Sequence, residues 1–182
     1  MIILIGGASQ TGKTLLAQGL LEEYKWPYLS IDHLKMGLYR VGNCGFTPTD
    51  STQHIAEHLW PMLRGIIMTA VENRQNLIIE GAYLLPQNIN KLTHEYLDNV
   101  ISLYLGFSDE YIQKHLQDEI LRNRCAIEYR AYEEARCAAE FISENQYIKS
   151  MCSEHNAKYF EIENNYINEI DLVYSWIRGR LC

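Results

Sequence analysis

The chain has 182 residues, of which 47% are hydrophobic and 21% are charged, and its formal net charge is −7. This composition is typical of a globular protein with a substantial core, and it excludes extensive disorder. The acidic balance argues against a nucleic-acid surface, and no apolar stretch has the length needed to cross a bilayer.

The first predicted elements are a strand over residues 2–5, a glycine-rich loop and a helix. Gly7, four further residues and Gly12-Lys13-Thr14 complete the phosphate-loop pattern G-x-x-x-x-G-K-[ST]. The run before the loop is apolar and β-branched, as in a buried parallel strand, and it is too short for a signal peptide and lacks a basic leader. Strand, loop and helix therefore follow in the order that the pattern requires.

Each part of this loop has a physical task. Glycines permit turns that side chains would block, successive N–H groups form a nest for anionic oxygens, and the following helix directs its positive end at the same phosphates. Lys13 is predicted to reach the β- and γ-phosphates, and the Thr14 hydroxyl to ligate Mg²⁺. The alternative is an ordinary glycine-rich turn. We predict that the nucleotide site consists of Gly7, Ala8, Ser9, Gln10, Thr11, Gly12, Lys13, Thr14 and Leu15.

A second short strand is predicted over residues 28–31, and Asp32 follows it directly. Because ligands bind at the carboxyl edge of open α/β sheets, we expect Asp32 near the γ-phosphate. There it can accept the proton of an attacking hydroxyl or hold a Mg²⁺-bound water. The alternative, which does not exclude this role, is that Asp32 N-caps a helix beginning at His33. Arg40 could clamp an anionic acceptor or could lie at a solvated helix end.

A long amphipathic helix is predicted over residues 51–73, because apolar residues recur there at spacings of three or four. Asp50 is its predicted N-cap, with Gln53 three residues on, as in a capping box. Pro61 lies inside this segment and is predicted to kink the helix or divide it.

The third predicted strand, residues 77–80, ends in Glu80-Gly81. Many phosphate-loop proteins carry an acidic residue at this position. We therefore predict that Glu80 binds acceptor hydroxyls or a metal-bound water, although it could also be a structural carboxylate. Gly81 offers backbone that a substrate can approach closely.

A fourth strand is predicted over residues 100–107, and Ser108 is a plausible cap for the helix that follows. Four arginines then occur within fifteen residues, namely Arg122, Arg124, Arg130 and Arg136. Arginines on a segment that closes over ATP would stabilise charge on the transferring group and exclude water. The alternative is a solvated helix face whose arginines pair with Glu128, Glu133 and Glu134. We predict that one or two of the four act, with Arg122 and Arg124 first.

The C-terminal third completes the alternation of strands and helices. A long helix is predicted from Ala131, Ala135, Ala138 and Ile142, a fifth strand over residues 158–162, and a closing helix over residues 166–178. This pattern indicates an α/β fold in which a parallel sheet is covered by helices on both faces. Since no repeat or linker divides the chain, residues 1–182 are interpreted as one domain.

With these motifs in this order, the chain resembles the small-molecule kinases of the phosphate-loop superfamily, such as adenylate, shikimate and gluconate kinases and chloramphenicol phosphotransferase. The run from Ile31 to Gly37 also looks like sequences described as 2-phosphoglycerate kinase-like or adenylate kinase-related. The resemblance covers nearly the whole chain in element order, but only the phosphate loop is sharply specific. The chain lacks the paired arginines of the adenylate kinase lid, and Asp32-His33 does not continue into a recognisable nucleoside kinase pattern.

The resemblance implies a three-layer P-loop NTPase fold with a five-stranded parallel sheet of order 2-3-1-4-5 and a helical lid at about residues 121–136. It implies that Asp32 contacts both the acceptor and Mg²⁺. It also suggests that Arg122 or Arg124 is a lid arginine and that the loop at residues 163–165 lies near adenine.

Two other classes of protein were weighed against a kinase. A regulatory GTPase would carry Asp-x-x-Gly after the third strand and Asn-Lys-x-Asp after a later one. The chain has Glu80-Gly81 at the first place, and the run from Asn90 to Thr93 lacks the aspartate of the second. A module that binds nucleotide without catalysis would keep the phosphate loop and transfer nothing.

These observations together predict an ATP- and Mg²⁺-dependent kinase that transfers the γ-phosphoryl group to a hydroxyl of a small polar metabolite. The expected partner is this small acceptor, and binding to nucleic acid or to a membrane is not expected. The protein is expected to be a monomer or a homodimer. The cysteines are scattered and odd in number, which favours free thiols in a reducing cytoplasm; they are Cys44, Cys125, Cys137, Cys152 and Cys182.

Overall fold

A computed structural model describes residues 1–127 and 135–181 of the chain. It contains a parallel sheet of five strands in the order β2-β3-β1-β4-β5. The strands are β1 (Ile2–Gly7), β2 (Tyr28–Ser30), β3 (Leu77–Glu80), β4 (Val100–Phe107) and β5 (Lys158–Ile162). Both the α/β class and the strand order that the resemblance implied are confirmed.

Strand β1 lies at the centre of the sheet, and its residues are fully buried because helices cover both faces. It pairs with β3 on one side and β4 on the other. Ile5 lies opposite Glu80, and Gly7 lies opposite Leu105. This register places the glycine-rich loop directly beside the carboxyl end of β3.

Eight helices are described. They are α1 (Lys13–Tyr24), α2 (Ile31–Val41), α3 (Thr52–Glu72), α4 (Pro86–Ile89), α5 (His94–Leu97), α6 (Asp109–His115), α7 (Ala138–Glu154) and α8 (Tyr166–Leu181). A π-helical segment, Leu116–Leu121, continues α6. Within the described ranges, no helix is long and apolar enough to span a membrane.

The core lies in two layers, one on each face of the sheet. On one face, residues of α1, α6 and α8 and the start of α7 pack against alternate residues of β1 and β4, including Leu16, Leu20, Ile112, Phe141, Val173 and Ile177. Further along α7, Ile148 and Cys152 pack instead with Tyr104, whose side chain points to the other face of β4. On the other face, α3 supplies Ile55, Leu59, Leu63 and Ile67. Side chains alternate between the faces of a strand, so Ile3 and Ile5 belong to the first layer and Leu4 to the second.

Helix α8 packs along α1 and reaches the glycine-rich loop. Tyr174 lies against Gly19, where a Cβ would clash with its hydroxyl. The Arg178 guanidinium donates two hydrogen bonds to Glu23, at 2.8 and 2.9 Å. Tyr166, the first residue of α8, lies against the loop itself. The loop is therefore supported from the far end of the sequence.

Two details of the long helix α3 differ from the prediction. Its N-cap is Ser51, whose hydroxyl accepts the His54 N–H at 3.2 Å. Asp50 is not the cap, because its carboxylate instead accepts the N–H and hydroxyl of Thr47. Pro61 does not divide the helix, since α3 runs unbroken on both sides of it. Burial of the apolar face stabilises α3 despite the missing backbone donor.

The predicted helix from Ala131 also begins later than expected. Ala131 lies outside the described residues, and Ala135 precedes the helix, which begins at Ala138. Glu140 sets this start, because its carboxylate accepts the Cys137 N–H at 2.8 Å. The cap of α6 was predicted correctly, since the Ser108 hydroxyl accepts the Tyr111 N–H at 3.1 Å.

Candidate functional site

The loop between β1 and α1 has the backbone shape of an anion-binding nest. Three of its residues have positive φ, with values of 128° at Gly7, 62° at Gln10 and 84° at Gly12. A Cβ at Gly7 would clash with the backbone of β4, so a glycine is required there for two reasons. Turns of this kind make successive N–H groups converge on one point, where a phosphate oxygen can be bound.

Bonds within the loop hold Lys13 close to the backbone. The Thr11 hydroxyl donates to the Ala8 carbonyl at 2.9 Å, and the Lys13 ammonium donates to the same oxygen. Lys13 is only 8% exposed. Tyr166 donates from its hydroxyl to the Thr11 carbonyl at 3.5 Å. Of the predicted loop residues, Leu15 differs in having its side chain exposed, so its contribution to a nucleotide site would come from its backbone.

Glu80 is the last residue of β3 and lies beside the start of α1. The Thr14 hydroxyl donates to Glu80 Oε2 at 3.2 Å, whereas the buried Oε1 has no hydrogen-bond partner within residues 1–127 and 135–181. Burial raises the pKa of Glu80, while the nearby hydroxyls of Ser30 and Thr14 and the charge of Lys13 act in the opposite direction. This arrangement puts Glu80 on the side of the predicted Mg²⁺ ligand Thr14.

Gly81 follows with a φ of 155°, and a Cβ there would come within 2.9 Å of Ile31 Cβ. The glycine therefore allows α2 to begin close against the end of β3. Ile31, predicted as the last residue of the second strand, is instead the first residue of α2.

Asp32 lies in the first turn of α2, so the prediction that it N-caps a helix beginning at His33 is wrong. Ser30 holds the N-cap position, because the helix starts two residues earlier than expected. The Asp32 side chain is 47% exposed, and its Oδ1 lies 3.5 Å from Lys35 Nζ. Its negative charge also contributes to the raised pKa of Glu80, after the effect of burial. Asp32 is thus accessible to solvent at the carboxyl edge of the sheet.

Lys35 and Tyr83 form a contact at this edge that the sequence analysis did not foresee. Lys35 Nζ donates to the Tyr83 hydroxyl at 2.7 Å, and the Lys35 side chain is only 12% exposed. Burial lowers the pKa of Lys35, but the hydrogen bond to Tyr83 and the charge of Asp32 act in the opposite direction, and the pKa is raised overall. The i, i+3 spacing of Asp32 and Lys35 could have predicted their ion pair, but Lys35 and Tyr83 are 48 residues apart, and no local spacing predicts their contact.

The structure describes three of the four arginines, and their contacts differ. Arg136 Nη1 donates at 2.9 Å to Glu144 on α7, and Glu144 in turn accepts bonds from Ser9 in the glycine-rich loop. Within residues 1–127 and 135–181, neither Arg122 nor Arg124 forms an ion pair or side-chain hydrogen bond with this loop. Arg130 lies outside the described residues.

The remaining predicted site residues lie further out. Arg40 is exposed in the last turn of α2. Glu163 and Asn164 donate their backbone N–H groups to Glu169, at 2.8 and 3.2 Å, and line a cleft of about 450 Å³ at the carboxyl ends of β4 and β5. Their proximity to adenine stays a prediction. In the described ranges, no group of three or more His, Cys, Asp or Glu side chains forms a ready-made metal site.

No protein-family model matches the chain, and no curated protein does. Several solved structures of similar shape are kinases. The shikimate kinase of Bacteroides thetaiotaomicron has a TM-score of 0.57 at 14% identity, with 98% of each chain covered. The gluconokinase of Sinorhizobium meliloti 1021 has a TM-score of 0.56 at 13% identity, and the match covers 93% of this chain and 86% of the gluconokinase chain.

A further match is the shikimate kinase of Acinetobacter baumannii, solved in complex with shikimate. Its TM-score is 0.56 at 18% identity, and the match covers 99% of this chain and 92% of the other. The chain has the fold of a P-loop small-molecule kinase. At these identities the likeness concerns the fold, and any activity has to be argued from the residues of the site.

Proposed function

We propose that the protein is an ATP- and Mg²⁺-dependent kinase that transfers the γ-phosphoryl group to a hydroxyl of a small polar metabolite. The observation that carries this proposal is the contact between the Thr14 hydroxyl and the Glu80 carboxylate beside the glycine-rich loop. A loop of this shape binds phosphates, and a hydroxyl paired with a buried carboxylate is suited to a phosphate-bound cation.

The donor set supports Mg²⁺. Glu80 Oε1 is buried without a partner among the described residues, and an unpaired buried oxygen is costly unless a cation or a water satisfies it. Mg²⁺ keeps several waters and is held by one or two protein oxygens together with substrate phosphates, so a larger cage is not required. Thr14 and Glu80 would hold the ion, with Asp32 nearby. Bound there, the ion would neutralise charge on the β- and γ-phosphates.

The residues divide the work of phosphoryl transfer. The loop amides and Lys13 bind the phosphates, which requires Lys13 to turn from the Ala8 carbonyl towards them. Asp32 orients the acceptor hydroxyl and takes its proton. Positive charge over the transferring group is assigned to Arg136, because its partner Glu144 contacts the loop. Arg122 or Arg124 would contribute only if the segment around them closes over the nucleotide.

The acceptor would enter between α2 and the loop that follows β3. Asp32, Lys35 and Tyr83 line this side, and together they offer a carboxylate, an ammonium and a phenol. This polar lining suits a small hydroxylated metabolite. The likeness in fold to other kinases supports the proposal that the protein works in the cytoplasm.

Phosphoryl transfer from γ-labelled ATP and Mg²⁺ to a pool of cell metabolites tests the proposal, with Lys13→Ala as the control protein. We expect a labelled product that is reduced by several orders of magnitude in the control. Nucleotide binding without any labelled product would favour a sensing module. A product formed equally well by the Lys13→Ala protein would overturn the assignment of the site.

A further inference from the structure

The Glu144 carboxylate links the phosphate loop to Arg136. Its Oε1 accepts two hydrogen bonds from Ser9, one from the backbone N–H at 2.8 Å and one from the hydroxyl at 2.7 Å. Its Oε2 accepts the bond from Arg136 at 2.9 Å. One carboxylate on α7 thus receives three hydrogen bonds from groups 135 and 8 residues away in the chain.

The three donors are of the kinds that bind a phosphoryl group. A loop amide, a hydroxyl and a guanidinium are the usual partners of phosphate oxygens, and a carboxylate is a smaller anion that accepts the same bonds. Arg136 is held further by the Phe141 ring, whose centroid lies 4.3 Å from its guanidinium carbon. Phe141 is completely buried, so it fixes one side of the arginine.

The carboxylate also lies towards the acceptor side of the site. Ser9 belongs to the half of the loop that is remote from α1. In the proposed function, the terminal phosphate of a bound nucleotide faces the acceptor. Tyr83 lies close enough for the charge of Glu144 to contribute to its raised pKa, after burial and the effects of Lys35 and Asp32. Glu144 is therefore placed between the nucleotide side and the acceptor side.

We propose that Glu144, in the nucleotide-free protein, holds the place that the terminal phosphoryl group of a nucleoside triphosphate takes on binding. This inference rests on the proposed function. Two anions cannot share the same donors, so a triphosphate must displace the carboxylate before Ser9 and Arg136 can bind its terminal group. A diphosphate lacks that group and leaves the contact intact. Glu144 thus competes with the terminal phosphoryl group and lowers the affinity of the protein for the triphosphate alone.

Isothermal titration calorimetry with a non-hydrolysable ATP analogue and with ADP, both with Mg²⁺, tests this inference. Glu144→Gln keeps the shape and removes the charge. We expect its Kd for the ATP analogue to fall about tenfold, as expected for the loss of one nearby like charge, with less than a twofold change for ADP. Glu154→Gln, an exposed residue at the end of the same helix, should change neither constant.

A second variant guards against a general effect on the loop. Ser9→Ala removes one of the three bonds that hold the carboxylate. Because the same hydroxyl would also donate to the terminal phosphoryl group, the two losses offset each other, and the Kd for the ATP analogue should change by no more than about twofold to threefold. Equal shifts for both nucleotides, no shift, or weaker binding of the ATP analogue by Glu144→Gln would overturn the inference while leaving the kinase proposal standing. If the unmodified protein bound neither nucleotide, the kinase proposal itself would fall.

Discussion

The Thr14 hydroxyl and the Glu80 carboxylate lie 3.2 Å apart although 66 residues separate them in the chain. The contact follows from sheet topology, because β1 and β3 are neighbours and Ile5 pairs with Glu80 in register. The end of β3 therefore meets the start of α1. Phosphate-loop chemistry needs this meeting of a hydroxyl and a carboxylate, and the sheet supplies it without any contribution from the surface loops.

Glu80→Gln should stabilise the free protein while impairing catalysis. Burial raises the pKa of Glu80, so the folded state binds its proton more tightly than the unfolded state does. The stability that this group contributes is present at low pH and is lost as pH rises through the folded-state pKa. At neutral pH the ionised side chain therefore destabilises the fold, and a neutral amide removes that cost.

Thermal unfolding checks this expectation. The melting temperature of Glu80→Gln should exceed that of the unmodified protein at neutral pH, and the difference should shrink as the pH is lowered. Because the variant weakens the support of a metal-bound site, kcat/KM should fall by roughly 10- to 100-fold. A variant that is both less stable and fully active would contradict the role given to Glu80.

Asp32→Asn should abolish most turnover with little effect on ATP binding or stability. Asp32 is half exposed and sits in the first turn of α2, where a carboxylate stabilises a helix by about 0.3–1 kcal/mol. As general base it should contribute roughly 10²–10⁴ in rate. Steady-state kinetics and calorimetry on the variant, with exposed Asp171→Asn as control, separate the two effects. Loss of stability with unchanged turnover would assign Asp32 a purely structural role.

Lys35→Met should raise the KM for the acceptor, by about tenfold, while the KM for ATP stays within twofold. The Lys35 ammonium is nearly buried between Asp32 and Tyr83 and belongs to the acceptor side. Tyr83→Phe should act in the same direction, and the double variant should be less than additive, because the two side chains share one hydrogen bond. Exposed Lys114→Met on α6 is the control. A matching rise in the KM for ATP would place Lys35 on the nucleotide side.

Tyr104→Phe should stabilise the protein by about 1 kcal/mol, because a buried hydroxyl without a partner costs more than it contributes. Tyr104 is 1% exposed, and its hydroxyl has no hydrogen-bond partner among the described residues. For a chain of this size the expected rise in melting temperature is about 2–4 °C. Tyr96→Phe, which removes an exposed hydroxyl bonded to Glu72, should give no such rise. Destabilisation by Tyr104→Phe would indicate a water held at that hydroxyl.

Much of the fold was predictable because its signals are local. Buried parallel strands read as short apolar runs, and the glycine-rich loop is dictated by backbone angles that only certain residues tolerate. The place of Glu80 followed from its position at the end of such a run. The strand order came from the resemblance to known kinases, since an alternation of strands and helices fixes the class but not the order.

The parts that sequence reasoning missed depend on competition or on distant contacts. Ser51 is the N-cap of α3, because the carboxylate of the neighbouring Asp50 is hydrogen-bonded to Thr47. The spacing of the residues does not decide which of the two caps the helix. The hydrogen bonds that connect Ser9, Glu144 and Arg136 join segments far apart in the chain, and no local pattern predicts them. The role of Arg122 or Arg124 as a lid arginine stays a prediction, because it depends on how the segment packs over a bound nucleotide.

The support that α8 gives to the phosphate loop has a consequence for biosynthesis. A ribosome completes the loop early, but Tyr166, which packs against Gly12, and Arg178, which binds Glu23 at the end of α1, emerge much later. A nascent chain that lacks α8 has the glycine-rich loop without the contacts that support it. We therefore expect affinity for phosphate to be acquired only when this helix docks, so that partly synthesised chains do not sequester nucleotide.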